Sequence, residues 1–137
     1  MARSKIKIAF LVILIIVTLS IIISIVVGVS GKAFGEKIGI VEIEGVIKDP
    51  KDIMEDVVKF KEDETVKGVI LRINSPGGST SPSQEIFEEV KKLREKKKVY
   101  VSMGSVCASG GYYIATAGEK IYALPSTITG SIGVIME

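Results

Sequence analysis

The sequence predicts an α/β fold, a largely parallel sheet covered by helices, preceded by one N-terminal transmembrane helix. Three observations point there. Ile8 to Val29 is a run of 22 positions without a charge, almost all Ile, Val or Leu. Beyond it, short β-branched runs alternate with amphipathic stretches, an order that implies right-handed βαβ crossovers. Two glycine-rich segments, 75–79 and 104–111, each follow a β-branched run, and in a parallel sheet chemistry gathers at those carboxyl ends.

The apolar run comes first. A helix of that length covers roughly 30 Å, the thickness of a bilayer's hydrocarbon. Arg3, Lys5 and Lys7 precede it and no acid stands before Glu36, so the positive-inside rule puts residues 1–7 in the cytoplasm and the rest outside. A cleaved signal peptide is the rival reading. Its apolar core is usually about 7–15 residues and ends in small residues, which Val27-Gly28-Val29-Ser30-Gly31 matches poorly. Residues 8–29 are therefore expected to be an uncleaved anchor and residues 30–37 a linker. One domain fills 38–137.

Within that domain, alternating Ile38, Ile40, Val41 and Ile43 predict a strand that Gly45 weakens or ends. Asp49-Pro50 opens a helix running to about residue 63, with Ile53, Met54, Val57, Val58 and Phe60 on one face. Residues 67–74 form a second strand, ended by Ser75-Pro76-Gly77-Gly78, where Pro and Gly suit the centre of a type II turn. Ser81-Pro82-Ser83-Gln84 reads as an N-cap, a first-turn proline and a capping-box glutamine, starting a helix to about Lys96 that buries Ile86, Phe87, Val90 and Leu93. Residues 99–103 are a third strand, 104–111 a loop, and 112–117 a short helix. Two further strands are expected, at 120–124 and 131–136, joined by 125–130.

Composition narrows the chemistry. Removing the three basic residues before the span from the 18 Lys and Arg leaves 15 against 16 Asp and Glu, with no clustered basic face. A nucleic-acid partner is not expected. The chain has no histidine, which removes Ser-His-Asp and Cys-His mechanisms and the common zinc sites from within it. No metal and no cofactor are expected. Cys107 stands alone, so no internal disulfide can form.

Ser109, in Cys107-Ala108-Ser109-Gly110-Gly111-Tyr112-Tyr113, stands after a strand and at the mouth of a short helix. Unpaired N–H groups there favour the anion that develops on an attacked carbonyl. On local sequence alone a simple N-cap explains this serine better, just as a turn explains Ser75 to Gly78. Cys107, among small apolar residues, reads as a core residue. Tyr112 and Tyr113 read as packing groups, one of which could border a cleft.

Three stretches together change that balance: Gly68 to Gly78, Val101 to Ala115, and Thr129 to Met136. In order and spacing they resemble the signal peptide peptidases of the SppA type, serine proteases with the Clp protease/crotonase fold, and the N-terminal anchor fits as well. The resemblance implies Ser109 as nucleophile and Gly78 and Gly110 as oxyanion donors. It also implies a Ser–Lys dyad, whose lysine falls beyond Glu137, so the fold is expected to be incomplete at its C-terminus and the chain silent alone. The activity implied is endoproteolysis of cleaved signal peptides and other polypeptides by a homo-oligomer at the cell membrane. Two alternatives stand beside it: a non-catalytic scaffold subunit or truncated product of the same fold, and a crotonase-type acyl-CoA enzyme.

Overall fold

The computed structural model describes residues 2–30 and 35–135; residues 31–34, half of the expected linker, lie outside it, as do the first and the last two residues. Two compact units result, Met1–Gly35 and Glu36–Glu137. The first is helix α1, Ala2–Ser30, which begins earlier than the apolar run alone requires. Its apolar side chains between Phe10 and Ile25 are all exposed, by 47–71%. They lie on every side of the helix, unlike the single stripe of a helix packed on a core. Side chains are described without a break only over residues 10–25, and among the described residues no helix meets the length and apolarity that a membrane crossing needs.

The second unit runs β1 (Lys37–Ile47), α2 (Lys51–Glu62), β2 (Val66–Gly78), α3 (Thr80–Lys96), β3 (Lys98–Ala108), α4 (Gly110–Ala115), β4 (Lys120–Tyr122) and β5 (Ile128–Gly130). All five strands pair in parallel, in the order β1-β2-β3-β4, and β5 pairs with the upper end of β3. Period-two burial gives the sheet its core face. Val41 and Ile43, Leu71 and Ile73, Val99 and Val101 are wholly buried against Val57 of α2, Ile86, Val90 and Leu93 of α3, and Ile114 of α4. Each contributes roughly 1.5–3 kcal/mol by leaving water. The opposite face carries exposed Ile38, Ile40 and Tyr122. Arg72 also lies on that face, with its guanidinium donating to Ser102 Oγ and the Met103 carbonyl.

Several expected boundaries shift, each for a local reason. β2 does not end at Asn74. It slips register against β1 between Glu44 and Val46 and then pairs Val46 with Gly77 and Ile47 with Gly78, so Ser75 to Gly78 continue the strand instead of reversing the chain. Gly77 does take the left-handed backbone foreseen for it, at φ +96°. β3 runs through most of the segment expected as a loop. α3 starts earlier, with Ser79 at its N-cap; Ser81 Oγ bonds Glu85 and does not cap the helix.

The last strand is Ile128–Gly130, inside the segment expected as a connection, and residues 131–135 are irregular. Hydroxyls decide this: Thr127 and Thr129 donate to the carbonyls of Gly104 and Cys107, fixing this segment beside β3. Glu89 is buried between α2 and α3 and paired with Lys61 and Lys92.

Candidate active site

Because β2 and β3 are parallel and adjacent, with Ser75 beside Cys107, their carboxyl ends bring the two glycine-rich segments together. Ser109 follows β3 and occupies the N-cap of α4, but its side chain makes no capping hydrogen bond. Its backbone lies at φ 50°, ψ −121°, whereas an N-cap serine normally sits in the β region. That conformation costs a residue with a Cβ about 1–3 kcal/mol, and such strain collects where a side chain must be presented. Capping alone does not account for it.

The Ser109 N–H is committed to the Gly130 carbonyl at 2.8 Å. Gly110 opens α4, whose first N–H groups have no partner within the helix. Its lack of a side chain is required: a Cβ there would collide with Ser83 Oγ, and would lie 3.6 Å from the Gly78 nitrogen. The backbones of Gly78 and Gly110 thus approach each other beside Ser109.

These groups border a cavity of about 290 Å³. Thr80, Ser83 and Gln84 of α3 form a polar wall, while Tyr113, Ile132 and Val134 supply apolar surface. Tyr113 is held by stacking on Phe87, ring centroids 4.3 Å apart. Tyr112 packs against the core. The α3 residues in this wall were read from the sequence only as a helix start, and the residues after Gly130 only as a strand. Ser83, whose hydroxyl donates to the Ser79 carbonyl, was read only as part of that start.

Cys107 is adjacent in sequence but turned away. It is fully buried, and burial pushes its thiol up to about 11, so the thiolate needed for attack is scarce at neutral pH. Among the described residues, no lysine lines the cavity. Lys67, Lys98 and Lys120 stand at the opposite ends of their strands. Lys61, Lys91, Lys92 and Lys96 pair with Glu89, Glu88, Glu89 and Glu62, and Lys97 donates to the carbonyls of Phe60 and Asp63. Among the described residues, no group of acids or cysteine is arranged to hold a metal.

Comparison with known proteins agrees with this arrangement. Residues 91–137 match peptidase family S49. The chain is 44% identical over 108 residues to Protease 4 of Haemophilus influenzae, covering 72% of this chain and 18% of that protein. It is 52% identical over 73 residues to Protease 4 of Salmonella typhi, 53% of this chain and 12% of the relative. It is 44% identical over 85 residues to the chloroplastic serine protease SPPA of Arabidopsis thaliana, 62% of this chain and 13% of the relative. The matched stretch is thus under a fifth of each relative. Among solved structures, a ClpP1 mutant from Listeria monocytogenes superposes with a TM-score of 0.57 at 25% identity, over 66% of this chain and 52% of that one. Fold and sequence together make this chain similar to part of the SppA and Protease 4 proteins and, over residues 91–137, to peptidase family S49.

Proposed function

We propose that the protein is a membrane-anchored serine endopeptidase that cleaves spent signal peptides and other polypeptides through an acyl-enzyme on Ser109. The observation that carries this reading is the strained, uncapped Ser109 at the edge of a cavity, with the backbones of Gly78 and Gly110 beside it. Ser109 Oγ attacks the scissile carbonyl, and the N–H groups of Gly78 and Gly110 receive the oxyanion, each worth roughly 3 kcal/mol to the transition state. Water then releases the acyl group.

The base in this reading is a lysine outside residues 35–135. A lysine acting at neutral pH must be brought from ~10.4 to near 7, which takes about 4 kcal/mol of burial or neighbouring positive charge. Among the described residues no lysine borders the cavity, and Lys61, Lys91, Lys92, Lys96 and Lys97 are engaged by carboxylates and carbonyls elsewhere.

The anchor is α1. In its support, the helix is apolar on all sides, and its Thr18 and Ser20 hydroxyls bond back to the carbonyls of Ile15 and Val17, satisfying themselves without water. A cytoplasmic N-terminus, an external peptidase domain and a homo-oligomer belong to the same reading. The last is supported by the ClpP-like fold and by the apolar sheet face at Ile38, Ile40 and Tyr122.

The test is turnover of an internally quenched apolar peptide by the full-length protein in vesicles. Activity lost in Ser109→Ala, kept in Cys107→Ala and absent toward acyl-CoA thioesters is expected. Peptidase activity that survives Ser109→Ala would overturn the assignment; thioester turnover would favour the crotonase-type alternative, and an inert full-length protein the scaffold one.

A further inference from the structure

We propose that the buried hydroxyl of Ser75 is a positioning group that sets the oxyanion pocket, an inference that rests on the reading of Gly78 and Gly110 as oxyanion donors. Ser75 has no exposed surface. It stands where both neighbouring ladders are interrupted: β1 and β2 slip between Glu44 and Val46, and β2 and β3 slip between Ile73 and Ser75. Pairing with β1 resumes only at Gly77 and Gly78, so Ser75 and Pro76 form the break that sets the register in which Gly78 is held.

The hydroxyl spans that break. Ser75 Oγ donates to the Gly45 carbonyl at 2.5 Å and accepts from the Gly77 N–H at 3.0 Å. Pro76 has no N–H, so Gly77 offers the first backbone donor after Ser75. Gly77 is also the residue that touches the nucleophile: a methyl on it would lie 2.8 Å from Ser109 Cβ and 2.7 Å from the Gly110 nitrogen. One side chain thus anchors Gly77 to β1, and Gly77 in turn fixes where the Gly78 N–H stands relative to Ser109 and Gly110. Removing the hydroxyl leaves the buried Gly77 N–H without this partner and takes away the side-chain tie across the break, so the ladder at Gly77 and Gly78 can settle in a shifted position.

Ser75 touches no reacting atom, so its loss should weaken the transition state and leave ground-state binding alone. The experiment uses the full-length protein and two ligands of one peptide sequence, a boronic acid that forms a tetrahedral adduct on Ser109 and a carboxamide that cannot. In Ser75→Ala, kcat is expected to fall on the order of 10- to 100-fold with KM within about twofold. The boronate should weaken by the same factor and the carboxamide should bind as before. Ser75→Cys, with a weaker donor of similar size, should fall between. Val57→Ala, a core truncation in α2, serves as a control that lowers stability and moves neither ratio.

Equal weakening of both ligands, or an unchanged kcat, would overturn the proposal. So would a Ser75→Ala protein that loses its folded circular dichroism, because the hydroxyl would then serve the fold and not the pocket. A wild-type protein that forms no boronate adduct at Ser109 is a separate failure: the assignment of the site falls, and this inference with it.

Discussion

The backbone N–H of Ser109 donates to the carbonyl oxygen of Gly130 at 2.8 Å, closing the ladder in which Ala108 faces Gly130. This bond commits the serine's own N–H, so the oxyanion of a carbonyl attacked by its Oγ must look to Gly110 and Gly78. It also fixes where the chain turns outward. Gly130 and Ser131, at φ +82° and +51°, redirect the backbone so that Ile132 to Val134 come back as a wall of the cavity.

If the Ser109 backbone is strained to present its side chain, glycine should relieve the strain. Ser109→Gly is expected to be more stable than Ser109→Ala by about 1 kcal/mol, because alanine keeps a Cβ at positive φ. Urea unfolding of the two variants checks this. Equal midpoints would mean that the strain is not stored there.

Cys107 gives a pH signature. Its folded pKa is raised, so its contribution to stability is fully present below the unfolded value near 9 and is lost as pH rises toward about 11. Cys107→Ala should flatten the alkaline decline in stability while costing roughly 1 kcal/mol for the volume removed. Iodoacetamide at pH 8 should label the native thiol slowly and the urea-unfolded thiol quickly.

Much of this was legible in the sequence, but unevenly. The Ile86, Val90 and Leu93 stripe and the alternation in β1 are dictated by a buried face of fixed period, and those elements stand where periodicity puts them. The ends of β2, β3 and β5 are set otherwise. Side-chain hydroxyls of Ser75, Thr127 and Thr129 bridge to backbone carbonyls up to thirty residues away, and no local pattern reveals such partners. The same limit applies to the cavity. Ser109 and the two glycines could be marked by resemblance, but the wall from Thr80 to Gln84 depends on α3 crossing beside α4. Glu89 was hidden because a glutamate on a helix normally faces water, and only the approach of Lys61 from α2 makes its burial tolerable.

That ion pair should matter. The Lys61 ammonium, with Lys92 beyond it, holds the Glu89 carboxyl below the usual carboxylate range despite its burial. A depressed folded pKa contributes stability above the unfolded value of ~4.3 that is lost as pH falls through the folded value. Glu89→Ala should cost about 3 kcal/mol by leaving the half-buried Lys61 without its partner. Glu89→Gln should show a shallower loss of stability in acid than wild type, measured by urea unfolding between pH 3 and 7.

Topology is open to a direct check. Protease added outside intact cells is expected to digest the peptidase domain and spare the N-terminus, as the basic flank at Arg3, Lys5 and Lys7 requires. Digestion that occurs only after lysis would reverse the orientation.

The central claim is that Ser109 is the nucleophile of the proposed reaction and that its base does not lie within residues 35–135. A fluorophosphonate probe mapped by mass spectrometry tests it on the 137-residue chain, alone and with the downstream segment of a longer SppA-type relative supplied in trans. The account expects little label on the chain alone and label on Ser109 once the segment is present, abolished by Ser109→Ala and kept in Cys107→Ala. Rapid Ser109 labelling without the added segment would reveal a base within these residues, and label on Cys107 in place of Ser109 would contradict the assignment of the nucleophile.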